Sequence, residues 1–187
     1  MQIETLDHRT ISEADARAIA ELLVAIWPKP GRTVETRTAE MLANGRSYSC
    51  PDALYPRSFL VREAGRVIAH AQVGARTIHT AIGEITVLAL ARVCTDPAVR
   101  GKKVGQQLVT KAFDLVDHGP FEFALFQTRE TVRPFYELLG AAVADNRFYN
   151  SLTEDPTKSP FWDTEIMRYP ATGNWPTGDI DLRGPGW

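Results

Sequence analysis

Cysteine is scarce in this chain. Cys50 and Cys94 are too few among 187 residues for a disulfide scaffold, and neither sits in a metal-type spacing. An excess of one charge is also missing. Against 23 Asp and Glu stand 21 Lys and Arg, and the resulting net charge of −2 gives no global attraction to nucleic acid or to an anionic membrane. Any anionic ligand must therefore be held by local positive potential. No apolar run is long enough to span a bilayer, and the N-terminus lacks the basic-then-apolar pattern of a signal peptide. Repeats and low-complexity tracts are absent as well. Together these features predict a cytoplasmic globular chain without metal, nucleic-acid partner or membrane partner. With 44% apolar and 24% charged residues it has enough length for a real core.

The most informative stretch present is residues 93–116, VCTDPAVRGKKVGQQLVTKAFDLV. Apolar and β-branched residues run up to Thr95, and Asp96-Pro97 breaks the strand, because proline removes a ladder donor. A basic glycine loop follows, and then a helical pattern carries Val104, Leu108, Ala112, Leu115 and Val116 on one face. Strand, loop, helix in this order aims free N–H groups and a positive helix end at one point, which suits an anion and phosphate in particular. The phosphate loop of nucleotide hydrolases is excluded, since Gln106 and Gln107 stand where Lys-Ser or Lys-Thr would be needed. The dinucleotide fingerprint is absent too. An ordinary strand-to-helix turn with solubilising lysines is the plainer alternative.

The run Asp96-Pro97-Ala98-Val99-Arg100-Gly101-Lys102-Lys103-Val104-Gly105 resembles the acyl-CoA signature of the GNAT superfamily of N-acyltransferases. Arg100 and Gly105 match its Arg/Gln-x-x-Gly-x-Gly/Ala pattern, and Lys103 stands where the inner glycine is usual. Downstream, Pro134-Phe135-Tyr136-Glu137-Leu138-Leu139-Gly140-Ala141 is similar to that family's Phe-Tyr-Glu-x-Leu-Gly-Phe segment. The resemblance covers residues 1–170. It implies an α/β (α+β) fold: a GNAT-type mixed, mostly antiparallel sheet of six to seven strands flanked by about four helices. Residues 171–187 would be a tail packed on the same domain, and the family leaves room for a homodimer.

Read in order, residues 2–6 form a short strand, and Ser12 caps a helix whose stripe is Ile19, Leu22, Leu23 and Ile26. A weaker helix carries Val34, Met41 and Leu42, with Gly45 as its end, and residues 46–56 read as loop. Strands at 58–63 and 66–80 join through Ala64-Gly65. A strand at 84–95, the 104–116 helix, a strand at 121–127 and a helix at 131–139 follow. Strands at 143–151 and 163–169 close the sheet, and the remainder is a glycine- and proline-rich tail.

The resemblance implies acetyl-CoA, or another acyl-CoA, as cosubstrate. The peptide groups of Val93, Cys94 and Thr95 would hold its pantetheine arm. Arg100, Gly101, Lys102, Lys103, Val104, Gly105 and Gln106 would hold its diphosphate. Lys102, Lys103 and Lys111 either reach phosphates or form a solvated helix end. The acceptor would be a primary amine of a small molecule or peptide. Tyr136 takes the position of the family's general acid, with a ring packed in the core as the alternative. The strand glutamate that many relatives use as base is replaced by Ala91. Glu84, His79 and His70 are alternative bases, each also readable as an ordinary strand residue, and a water chain to the backbone is a further one. Arg92 either meets an anionic substrate group or balances Glu84 or Asp96. Cys94 as a nucleophile lacks a neighbouring histidine in the sequence. The tail, ending Asp179-Ile180-Asp181-Leu182-Arg183-Gly184-Pro185-Gly186-Trp187, faintly resembles the end of aminoglycoside N-acetyltransferases acting at the 2′ amine, which places Trp187 beside the acceptor. An acyl-CoA-binding sensor or interaction domain without catalysis is the alternative function.

Overall fold

A computed structural model describes residues 1–47, 51 and 54–187 of the chain. Cys50 and part of the 46–56 segment lie outside them. The element order is β1 (Glu4–Asp7), α1 (Glu13–Ile26), α2 (Val34–Ser47), β2 (Arg57–Glu63), β3 (Arg66–Thr80), β4 (Gly83–Thr95), α3 (Val104–Asp117), β5 (Ala124–Thr128), α4 (Arg133–Glu137), β6 (Ala142–Val143), β7 (Phe148–Tyr149), β8 (Glu165–Tyr169) and β9 (Ile180–Asp181). The strands follow the path β1-β2-β3-β4-β5-β8-β6, and β9 pairs with β3 and β7. Of the pairings described here, β4 with β5 and β7 with β9 are parallel, and the others are antiparallel. This is the mixed, mostly antiparallel α/β arrangement that the resemblance implies, with nine strands among the described residues where six to seven were predicted.

The chain divides into two compact units, Met1–Gly74 with Arg92–Ala112, and Ala75–Ala91 with Phe113–Trp187. In the first, Ser12 caps α1 by accepting from the Asp15 N–H at 3.0 Å, with Glu13 and Asp15 in the first turn where carboxylates suit the helix dipole. The predicted stripe is buried: Ile19, Leu22 and Leu23 pack with Met41 of α2, Leu60, Val67 and Cys94. Burial of each large aliphatic here is worth about 2 kcal/mol. The Ala64-Gly65 turn has positive φ at both residues, 48° and 81°, as a tight hairpin demands. In β3, Ile68 and His70 are as buried as Val67, Ala69 and Ala71, so this part of the strand is covered on both faces.

Gly45 does not end α2, which continues to Ser47. A Cβ on Gly45 would lie 2.0 Å from the His8 backbone oxygen, so this glycine serves a close approach within the helix rather than a cap.

In the second unit Ile78, Val87, Phe123, Leu125, Phe148, Ile180 and Leu182 are among the residues that share one core. The predicted 143–151 strand is two short strands instead, and part of the tail is itself a strand. Asn146 between β6 and β7 explains the split: its side-chain amide donates to Pro176 O (2.9 Å) and Gly178 O (2.8 Å) in the tail. Phe148 and Tyr149 then pair with Ile180 and Asp181.

Candidate active site

The loop after β4 is set by Asp96. Its N–H donates to Ile68 O (2.8 Å), and its carboxylate accepts from the Ala98 N–H (2.9 Å), capping a single 3-10 turn at Pro97–Val99. The chain then passes through positive φ at Gly101 (80°) and Lys103 (60°) before α3 begins. The first intrahelical bond runs from Gln107 N–H to Lys103 O at 3.0 Å. The N–H groups of Val104, Gly105 and Gln106 precede it and have no acceptor inside the helix. Gly105 sits tightly on the strand end, where a Cβ would meet Thr95 Cγ2 at 3.3 Å. Around Gly101 a Cβ would meet nothing within 4 Å, so that glycine supplies backbone freedom only. The result is a set of outward donors at a positive helix end with flanking lysines, and this donor set fits a diphosphate.

Lys103 occupies the position where glycine is usual, and its left-handed φ gives the physical reason for that preference. A non-glycine residue there costs roughly 1 kcal/mol, while glycine loses a similar amount of unfolded-state entropy. Lys103→Gly is therefore expected to leave stability nearly unchanged. Gly101→Ala, which gains strain and no contact, is expected to lose about 1 kcal/mol in chemical denaturation.

Arg92 lies just before the strand end and has φ +53°. Its carbonyl accepts from His70 Nδ1 at 3.0 Å, and its guanidinium donates through Nη1 to Gln72 Oε1 at 3.0 Å. His70 Nε2 meets Ser58 Oγ at 2.9 Å, and Ser58 Oγ meets His8 Nε2 at 2.8 Å. All three side chains are buried. Burial pushes His70 down to about 3 and His8 to about 4, so both rings are neutral at pH 7. The bond to a carbonyl makes His70 Nδ1 the donor. Its Nε2 then accepts from Ser58, which accepts from His8. Both nitrogens of His70 are engaged, which matches its reading as a hydrogen-bonded strand residue rather than a base. Cys94 is buried too, which pushes its thiol up to about 12 and leaves it an inert packing group.

The sequence reading missed Ser58, His8 and Arg37. Arg37 on α2 has its Nε buried with no hydrogen-bond partner among the described residues. The available signal was its spacing, four residues before the buried Met41. A hollow of about 140 Å³ on this unit, lined by α1 residues, Arg66, Asp96 and Pro97, includes none of the loop donors.

In the second unit, Tyr136 is fixed by both ends of α4. Pro134 sits in the first turn of the helix, and Gly140 follows it at φ +87°. Ala141 N–H donates to Tyr136 O (3.1 Å) and Gly140 N–H to Glu137 O (3.0 Å), the paired bonds of a Schellman motif. The Tyr136 ring is buried, 4.6 Å from Phe126 and 5.0 Å from Phe135 between centroids. Glu84 is paired with His79 at 2.9 Å, nine residues along β4 from Val93. Trp187 donates from its indole to Leu125 O (3.1 Å), and its backbone oxygen accepts from the Gln127 amide (2.7 Å). Arg76 lies 4.8 Å from its ring centroid. Among the described residues there is no cluster of three His, Cys, Asp or Glu able to hold a metal, and no helix long and apolar enough to cross a membrane.

The family model of the acetyltransferase (GNAT) domain matches residues 56–140, from just before β2 through the loop and Tyr136. Over these residues, fewer than half of the chain, the protein is similar to a GNAT acetyltransferase domain. Solved structures share its fold. A GNAT family N-acetyltransferase of Escherichia coli (YhbS), in complex with CoA, is 16% identical with a TM-score of 0.62, covering 97% of this chain and 88% of its own. Glucosamine-6-phosphate N-acetyltransferase of Arabidopsis thaliana is 17% identical with a TM-score of 0.57, covering 83% and 100%. An acetyltransferase of Trypanosoma brucei is 21% identical, also with a TM-score of 0.57, covering 77% and 95%. A search of curated proteins finds no match. At these identities the structural likeness carries the fold, and the GNAT assignment rests on the family match.

Proposed function

We propose that this protein is a GNAT acyltransferase that moves an acetyl group from acetyl-CoA to a primary amine of a small molecule or peptide, by direct attack in a ternary complex. The observation that carries this reading is the set of N–H groups of Val104, Gly105 and Gln106, which precede the first intrahelical bond of α3 on the segment that the family match includes. The amides of Val104, Gly105 and Gln106 would hold the diphosphate, with Lys102 and Lys103 beside it. Backbone groups of Val93, Cys94 and Thr95 would hold the pantetheine arm and polarise the thioester carbonyl. Acetyl-CoA supplies the thioester and the thiolate leaving group.

A free alkylamine has a pKa near 10 and must lose a proton before it attacks. Ala91 offers no carboxylate, both nitrogens of His70 are engaged, and Glu84 and His79 are paired with each other, so this reading takes the proton out through water to the backbone. Tyr136 returns a proton to the departing sulfur, since a phenol keeps its proton at neutral pH. Tyr136→Phe keeps the packed ring and removes only the hydroxyl. It is expected to lower kcat by about 100-fold with little change in the KM for acetyl-CoA. Steady-state kinetics check this, and unchanged turnover removes the acid role.

The absent carboxylate at Ala91 favours a second reading, a domain that binds acyl-CoA without catalysis. Thiol release from acetyl-CoA across a panel of amines separates the two.

A further inference from the structure

Arg37 lies on the protein-facing side of α2, between the buried Thr38 and one turn ahead of the buried Met41. Met41 shares its hydrophobic cluster with Cys94 of β4. Arg37 stands one turn before Met41 and Arg92 two residues before Cys94, and the Arg37 charge is felt at both Arg92 and Cys94. Burial first, and then the positive charges of Arg37 and Arg32, hold the Arg92 guanidinium below its usual range, with Glu40 opposing.

The charges around this point do not balance. Arg32 is ion-paired with Glu40, and among the described residues the charges felt at Arg92 are this one carboxylate and the guanidiniums of Arg37 and Arg32. Among the described residues the Arg92 guanidinium donates to a neutral partner, Gln72 Oε1. Arg37 keeps a buried Nε–H with no acceptor among the described residues. A buried donor on a cation without a partner is costly, and two neighbouring guanidiniums repel unless an anion stands between them. Planar guanidinium forks match the two oxygens of a carboxylate or phosphate.

We propose that Arg37 and Arg92 form an oxyanion-binding end of the acceptor site, so that the amine acceptor carries a carboxylate or a phosphate. This rests on the acetyltransferase reading for the word acceptor only. The oxyanion site itself is open to a direct test.

Acetate and inorganic phosphate are titrated separately into the full chain saturated with CoA, and binding is followed by calorimetry. The wild type is expected to bind at least one of them, with Arg37→Gln and Arg92→Gln each about 10-fold weaker and Arg37→Lys in between. Equal binding by wild type and both glutamine variants, or no binding, overturns the proposal. A second arm compares acetyl transfer to an amino acid, its amide, an aminoalkyl phosphate and a polyamine. The expected result is a kcat/KM at least 10-fold higher for the carboxylate or the phosphate acceptor than for the amide, with Arg37→Gln erasing that ratio. The stronger of the two anionic acceptors identifies the group. Preference for the amide or polyamine overturns the proposal. Arginine-dependent oxyanion binding without transfer to any amine defeats the acetyltransferase reading and leaves the oxyanion site in place.

Discussion

Gly45→Ala is expected to destabilise the first unit by about 3 kcal/mol, at the upper end of what an added methyl group costs in a packed interior. The new Cβ would lie 2.0 Å from His8 O and 2.8 Å from His8 C, and both are backbone atoms. A flexible side-chain end could swing aside from such a clash, but a main-chain carbonyl cannot do so cheaply. His8 is itself held, its N–H donating to Pro56 O at 3.1 Å and its ring to Ser58. Moving α2 instead would lift Met41 from the cluster it shares with Leu23 and Leu60. Either response gives up buried contacts. Gly31→Ala provides the control, with φ +74° and nothing within 4 Å of the added atom, and is expected to cost about 1 kcal/mol. Urea denaturation of the three proteins, followed by tryptophan fluorescence, measures the difference. A Gly45→Ala variant no less stable than Gly31→Ala would show that the helix and the His8 backbone are not in contact.

The same glycine shows where a sequence stops being legible. Local chemistry could be read directly: the Ser12 cap, the Ala64-Gly65 turn, the bounds of β3 and the Pro134–Gly140 frame of α4 depend on residues within a few positions of each other. Gly45 has the same one-letter signature as a helix end, but its reason lies 37 positions away at His8. Phe121 and Phe123 read as strand because they are apolar, yet they are buried ahead of β5. Ile180 and Leu182 were hidden in a glycine- and proline-rich tail because their burial depends on β7 and on the rest of the second core.

The candidate site divides in the same way. The anion loop was legible because backbone geometry does the binding, and the glycine-and-charge pattern encodes that geometry. The Lys103 departure from the usual pattern was visible, but its conformational cost was not. The His8–Ser58–His70 chain and the buried Nε of Arg37 arise only when segments far apart in sequence are packed together. No periodicity in the sequence points to such contacts.

Acid should unfold this protein well above the pH at which surface carboxylates titrate. His8 and His70 have an ordinary pKa of 6.5, and in the folded chain they sit at about 4 and about 3. As pH falls below 6.5 the unfolded chain takes up two protons that the folded chain refuses, so stability is lost over that window and is flat above it. Between pH 7 and pH 5 each ring contributes about 2 kcal/mol to the loss, and the pair about 4 kcal/mol. Protonating either ring also breaks the chain's direction: a charged His70 can no longer accept from Ser58, whose hydroxyl is already committed to the His8 donor. The bond from His70 Nδ1 to the Arg92 carbonyl survives protonation, because the added proton sits on Nε2, so the loss falls on the Ser58 side of the ring. His70→Gln is expected to lower stability at pH 7, because it disturbs a buried network, and to halve the fall between pH 7 and pH 5. His8→Gln should do the same, and the double variant should leave little histidine-dependent slope. Denaturation midpoints at pH 5, 6 and 7 for the four proteins test this. An identical pH dependence in all of them would mean that these imidazoles do not remain uncharged in the fold.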